Sequence, residues 1–344
     1  MKILGLTPGN KNTGLTPEQK YLLGLKNLGH EVMVSEVSVG LPANFMPDVI
    51  VAMSEVTCEN GYMLAKAYNL PFYAHMEWIP KWRVFIEPES WWGIENTYIP
   101  YVQKMNFIRR YQAFSYFWGQ ADYKTLAADC FHDDMKYFIG QDFEIGSKKL
   151  GVDTELIKKW LEKNPDVKEN NEITCIARFV PHKRIHHIIA ALKYIEFVGV
   201  LNLVGYGPEK EKYENMKENI NIKYWDSKDK YLAIAQSKFV IALWSGLVPA
   251  EASYLGKTCL TYDSKYMREL FGDNIYYANN NMYYDLASNI KSLLSMPESE
   301  RYEKSLKCML VIEKGKGNTL TFEESIKHLE GLIIKAIENK GNTQ

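Results

Sequence analysis

Short apolar runs that end in a glycine or polar turn and lead into a helix start recur along the chain. The pattern begins again after a polar stretch at 162–171. Residues 3–7 run into Pro8-Gly9-Asn10-Lys11-Asn12-Thr13-Gly14, and Thr16-Pro17-Glu18-Gln19 then carries a helix start: threonine as cap, proline at the first helical position, glutamine three residues past the cap. Leu22, Leu25 and Leu28 space an apolar helix face that ends at Gly29. Further strands are expected at 31–37, 48–53 and 70–75, with a helix at 59–69. In the second series, strands are expected at 173–177, 200–204, 239–243 and 258–262, with a short one ending at 223–225. Helices are expected at 184–195, from 208, at 249–255, at 281–294, at 298–312 and from 321 to about 338. Strands alternating with helices mean parallel sheets with crossovers. A chain of 344 residues, at about 100–200 per domain, accommodates two such sheets. The expected fold class is therefore α/β, with two doubly wound Rossmann-like domains joined near 155–170.

Composition excludes several alternatives. Lys and Arg number 41 against 42 Asp and Glu, a net charge of −1, so the chain does not hold nucleic acid by bulk charge. The five cysteines (58, 130, 175, 259, 308) are scattered, without a CxxC pair. That argues against a disulfide framework or cysteine zinc site and fits a reducing cytoplasm. No run approaches 18 apolar residues, so a bilayer span is not expected, while peripheral contact at the inner membrane face stays open.

Parallel α/β sheets bind ligands beyond the carboxyl ends of their strands, and four clusters fall there. The Gly9–Gly14 loop offers close backbone approach and a helix N-terminus suited to an anion, or it is a plain strand–helix loop. Arg178-Phe179-Val180-Pro181-His182-Lys183-Arg184 places two cations five residues apart across a proline turn; they converge on a diphosphate, or the loop is simply basic and solvated. Val204-Gly205-Tyr206-Gly207-Pro208 is a glycine turn into a helix, which by itself only closes a crossover. Trp244-Ser245-Gly246-Leu247-Val248-Pro249-Ala250-Glu251 enters a helix at Pro249. Its free N–H groups suit phosphate, and Glu251 on the first turn suits vicinal hydroxyls or the helix dipole.

In order and spacing, these pieces, with His75 at the end of the fourth strand and Leu150-Gly151-Val152-Asp153-Thr154-Glu155 before the second domain, resemble the family 4 retaining glycosyltransferases of the GT-B fold. The resemblance implies two Rossmann-like domains facing across a cleft. An acceptor-side domain covers 1–155, rejoined by a last helix at 321–340, and a nucleotide-sugar domain covers 170–320. It implies transfer of a hexose from a nucleoside diphosphate sugar (UDP or GDP) to a hydroxyl of a glycan or lipid-linked acceptor. No metal or resident cofactor is implied, because cations and helix ends offset the leaving charge. Arg178 and Lys183 would hold the diphosphate, Glu251 the ribose, and backbone N–H groups of Gly246, Leu247 and Val248 a phosphate. Gly9, Gly14 and Gly205 would complete the donor site, and His75 would lie against the donor sugar. One departure stands out. The family pattern has two glutamates eight positions apart; the second matches Glu251, but the first, which faces the sugar, falls on Leu243. A non-catalytic nucleotide-sugar or glycan-binding protein of the same fold is therefore the alternative, and a phosphorylase-like or epimerase-like enzyme is the nearest catalytic rival.

The acceptor side is read from residues 78–118, which hold five of the eight tryptophans. Aromatic faces stack on sugars or suit a lipid interface. Glu77, Trp91 and Trp92 are the candidates; Glu77 is equally suited to pairing with Lys81 or Arg83, and aromatics at helical spacing (Phe107, Tyr111, Phe114) suit a core. His182, His186 and His187 look like a metal cluster, but His186 and His187 are adjacent on an expected helix and point apart, so no metal is expected. The chain carries neither a Gly-x-Ser-x-Gly elbow nor a Walker lysine pattern.

Overall fold

The computed structural model describes residues 1–8, 15–36, 40–41, 43–76, 101–140, 144–243, 245–279, 282–315 and 317–342, with residues 101–108, 111, 138 and 182 described in backbone only. The described chain forms two units, one of residues up to Lys149 together with the chain from Glu323, the other of Leu150–Phe322.

In the first unit β1 (Lys2–Thr7) is buried from Ile3 onward. Thr16 caps α1 (Pro17–Gly24) as its sequence implied: its hydroxyl accepts the Gln19 N–H at 3.2 Å, and the Gln19 side chain accepts the Thr16 N–H at 2.9 Å. Then follow β2 (Glu31–Glu36), β3 (Val49–Ala52), α2 (Cys58–Tyr68), β4 (Phe72–Met76), α3 (Tyr101–Gly119), β5 (Tyr123–Leu126), α4 (His132–Ile139) and β6 (Gly146–Ser147). The sheet order is β2-β1-β3-β4-β5-β6, with every pairing parallel. The sequence pattern did not show β5 or β6, which follow the aromatic-rich stretch.

The second unit opens with β7 (Leu150–Val152) and α5 (Thr154–Lys163), whose start is capped by the Asp153 carboxylate on the Leu156 N–H at 3.0 Å. The succession continues through β8 (Glu172–Ile176), α6 (Ile185–Tyr194), β9 (Val200–Val204), α7 (Lys210–Met216), β10 (Asn221–Trp225), α8 (Lys230–Gln236), β11 (Phe239–Ile241), α9 (Leu247–Tyr254), β12 (Cys259–Tyr262), α10 (Lys265–Phe271) and β13 (Tyr276–Ala278). It ends with α11 (Tyr283–Ser295), α12 (Glu298–Glu313) and β14 (Thr319–Thr321). Its parallel sheet runs β10-β9-β8-β11-β12-β13, and β14 pairs in parallel with β7. From β8 the chain builds outward to β10, then returns to lay β11 on the other side of β8. The point where strand order reverses is the place where such sheets bind ligands.

The last helix, α13 (Phe322–Asn342), returns to the first unit. Side chains tie it there: Ser325 Oγ donates to the Lys149 carbonyl at 2.8 Å, and Asn339 to the Asp122 carbonyl at 2.9 Å. Each unit is a parallel, doubly wound sheet, in line with the two Rossmann-like domains that the resemblance implied. Among the described residues no helix is long and apolar enough to cross a membrane.

Candidate active site

Four neighbouring strand ends of the second unit bring their loops together, and two glycines set how closely. Gly205 (φ 140°) and Gly207 (φ 152°) occupy a region that residues with a Cβ avoid, and a Cβ on either would strike the carbonyl of Ala177 or Phe179. The loops after β8 and β9 are thus laced together through their backbones. Phe179 N–H donates to Tyr206 at 2.7 Å, Glu209 N–H to Phe179 at 3.1 Å, and Ala177 N–H to Val204 at 3.1 Å. The Phe179 ring is buried against the edges of Tyr213 and Tyr224. With Phe179 anchored inward, its neighbour Arg178 is exposed. A single helical turn, Pro181–Lys183, then delivers Lys183, and Arg184 at φ 50° turns the chain into α6.

Arg178, Lys183, Gly205, Leu247, Val248 and Glu251 all line one pocket of about 300 Å³. Tyr206, Ser227, Lys230 and Ser245, which the sequence did not single out, line it too. Gly246 is not on its wall; it caps α9, and a Cβ there would lie 2.9 Å from Leu150 and 3.0 Å from the Tyr266 hydroxyl. The helix begins at Leu247, two residues earlier than expected. Its first free N–H groups are those of Leu247 and Val248, since Pro249 has none. Glu251 therefore lies on the second turn, not the first, and its carboxylate is engaged by Lys230 Nζ at 2.7 Å. On the second turn Glu251 lies past the stretch where the helix dipole acts most strongly. Burial pushes the Tyr231 hydroxyl up, with the Glu251 charge adding to it. Burial likewise lifts the Cys175 thiol to about 12, while the nearby Lys183 ammonium pulls it down. In both, burial is the larger cause and the neighbouring charge the smaller. Leu243, where the family pattern has its first glutamate, is buried at 2% exposure and does not line the pocket.

His75 belongs to the first unit. The strand continues past it to Met76, a correction to its reading as the strand end. It is fully buried, opposite Thr125 in the ladder, with Nδ1 3.1 Å from the Thr125 hydroxyl, which also meets the Tyr73 hydroxyl at 2.7 Å. Gly9, Gly14, Glu77, Trp91 and Trp92 lie outside the described residues. His186 and His187 do not point apart as expected from their adjacency: their rings meet edge to face at 4.5 Å, and His187 Nδ1 bonds the Tyr262 hydroxyl at 2.6 Å.

Residues 157–305 match the sequence model of the family described as glycosyl transferases group 1. That span contains every strand end that lines the pocket. No curated protein matches the sequence. Among solved structures, the chain is similar to Anabaena HepE in complex with UDP and glucose, with TM-score 0.68, 15% identity, and 96% of this chain and 98% of that one covered. It is also similar to sucrose-phosphate synthase from Thermosynechococcus elongatus, with TM-score 0.69, 12% identity and coverage of 97% and 96%. An alpha-glucosyltransferase in complex with UDP aligns with TM-score 0.61 at 12% identity over 97% of this chain and 99% of that one. At these identities the likeness is one of fold.

Proposed function

We propose that the chain is a retaining glycosyltransferase that moves a hexose from a nucleoside diphosphate sugar to a hydroxyl of a glycan or lipid-linked acceptor. The observation that carries the reading is the convergence of Arg178, Lys183 and Glu251, from two strand ends beside the point where strand order reverses, on one pocket. A guanidinium and an ammonium suit a diphosphate, the Leu247 and Val248 N–H groups suit a phosphate oxygen, and a carboxylate suits ribose hydroxyls. The group 1 match over 157–305 supports the reading, as do the UDP complexes among proteins of this fold.

In the reaction the bond between the sugar's anomeric carbon and the diphosphate breaks, a bond to the acceptor oxygen forms on the same face, and the acceptor's proton leaves with the diphosphate. Arg178, Lys183 and the end of α9 would offset the charge that develops on the leaving group, so that the step needs no metal. The acceptor would bind to the first unit, with Glu77, Trp91 and Trp92 as its candidates, while a fully buried His75 has no open face for a sugar.

The test is to incubate the protein with UDP- and GDP-hexoses and oligosaccharide acceptors, with and without a chelator. Diphosphate release that depends on acceptor, survives chelation and yields the donor's anomeric configuration is expected. Donor binding without any release would instead favour a non-catalytic sugar-nucleotide binder, the reading favoured by a buried leucine at position 243.

A further inference from the structure

The pocket holds a cation that comes from a different strand end than the pair assigned to the diphosphate. Arg178 and Lys183 follow β8, whereas Lys230 opens α8 after β10 and directs its ammonium to Glu251 Oε1 at 2.7 Å. The two side chains are only 29% and 12% exposed, and the Lys230 ammonium also lies 4.9 Å from the Tyr231 ring centroid, over its face. That ring in turn meets Trp160 edge-on at 6.0 Å. Lys230 is therefore held between a packed aromatic and a carboxylate, while Glu251 Oε2 remains to accept from a ligand.

Two consequences follow for a nucleotide in this pocket. A glutamate side chain has several rotatable bonds, and an ion pair in a part-buried place restricts it to one orientation. With its ammonium engaged by Glu251 at 2.7 Å, Lys230 is also set apart from Arg178 and Lys183 as a partner of the carboxylate and not of the phosphates. We propose that Lys230 is a positioning residue that fixes the Glu251 carboxylate for the ribose hydroxyls and thereby sets the pocket's preference for a ribonucleotide over its 2′-deoxy counterpart. This rests on the donor-site reading given above.

The experiment measures binding by calorimetry for the better of UDP and GDP, its 2′-deoxy analogue and pyrophosphate. The proteins are the parent, Lys230→Met, Lys230→Arg, Glu251→Gln and the Lys230→Met/Glu251→Gln double variant, each with its melting temperature. Lys230→Met is expected to weaken the ribonucleotide about tenfold or more, the scale of a charged hydrogen bond, to spare pyrophosphate, and to drive the ribo-to-deoxy ratio toward one. Lys230→Arg should keep the ratio. The double variant should bind the ribonucleotide no worse than Glu251→Gln does, since a pair that acts as one is not additive. Equal loss of pyrophosphate in Lys230→Met would overturn the proposal in favour of a direct phosphate contact, and an unchanged ribo-to-deoxy ratio would overturn it outright. Arg178→Ala reads the donor assignment alone. If it weakens both ligands while Lys230→Met changes neither, the proposal falls and the donor site stands; if the parent binds no diphosphate, both fall.

Discussion

Among the described residues, the two sheets place polar side chains near their strand ends in opposite ways. In the first unit His75 and Thr125, next to last in β4 and β5, are fully buried together with Tyr73 and with Trp118 of α3, whose indole N–H donates to the Thr125 carbonyl at 3.2 Å. In the second unit the corresponding end presents Arg178, Lys183, Lys230 and Glu251 to a pocket, on loops whose backbones are laced through Gly205 and Gly207. Both are parallel sheets with crossovers, although their strand orders differ, so a parallel sheet with crossovers does not by itself make such a pocket. Among the described residues, the second unit uses backbone hydrogen bonds and two glycines to hold the loops that line its pocket. With the loops held through their backbones, Arg178 can stay exposed on the pocket wall.

The sharpest way to break this contrast is to remove the lacing. Gly205→Val adds a branched side chain where φ is 140° and the Ala177 carbonyl already fills the space. A loss of about 4 kcal/mol or more is expected, from strain and overlap together. Urea denaturation should show the second unit unfolding early, with nucleotide binding lost. A variant of parental stability would mean that the loops tolerate separation and that the lacing argument is wrong.

Next in size is a buried ion cluster remote from the pocket. Glu169 accepts from Lys257 Nζ at 2.6 Å and from Arg301, and Arg301 also donates to the carbonyls of Lys238 and Met296. The three side chains are 16%, 10% and 5% exposed. Arg301→Met leaves Glu169 with one partner and is expected to cost about 3 kcal/mol, the scale of breaking a buried pair. Diphosphate affinity should hold once the variant is folded. If affinity falls in step with stability, the pocket is not the independently held region that the contrast requires.

Charge at the pocket is the third test. Arg178→Ala or Lys183→Ala should each weaken nucleoside diphosphate binding by about 1.5–3 kcal/mol. Arg178 is exposed, so its melting temperature should stay near the parental value. Calorimetry beside a thermal melt checks both. A variant that melts early but binds normally would place these residues with the scaffold instead.

How much of this was legible in the sequence follows from which signals are local. The strands β8, β9 and β11 were readable because each runs into a turn with glycine or proline, and two of those turns named Arg178, Lys183 and Glu251 before any geometry was known, whereas β13 was not read. The strand β14 was not readable: Thr319–Thr321 pairs with Leu150–Val152, nearly 170 positions earlier, and three residues carry no period of their own. Lys230 was missed for a similar reason. Its partner Glu251 is 21 residues away, and only the fold joins them. A signal did exist, because Trp225 ends a strand and the strand-end rule extends naturally to the residues just after it. The start of α9 was misplaced because Pro249 looks like a first helical residue, yet proline lacks only an N–H that the third helical position also leaves unused.

The smallest expected effect sharpens the picture of the first unit, where side chains hold the last helix. His328 on α13 faces the Ser147 carbonyl with Nε2 at 2.8 Å, so that nitrogen carries a proton and donates. Burial holds the imidazole below its ordinary range, and Lys149, Lys148 and Lys335 push it further down, against the carbonyl's pull upward. The neutral ring is thus favoured in the folded state. Below the unfolded value of about 6.5, the unfolded chain binds more protons than the folded one, and stability falls as pH falls. The contribution is complete above that pH and is lost on acidification through the lowered folded value. Urea midpoints taken from pH 7.5 down to 5.5 should therefore decline. His328→Gln, whose amide can still donate to Ser147, should flatten that part of the slope while keeping most of the stability at pH 7.5. An unchanged slope would assign the decline to other groups and leave the last helix held by Ser325 and Asn339 rather than by a titrating contact.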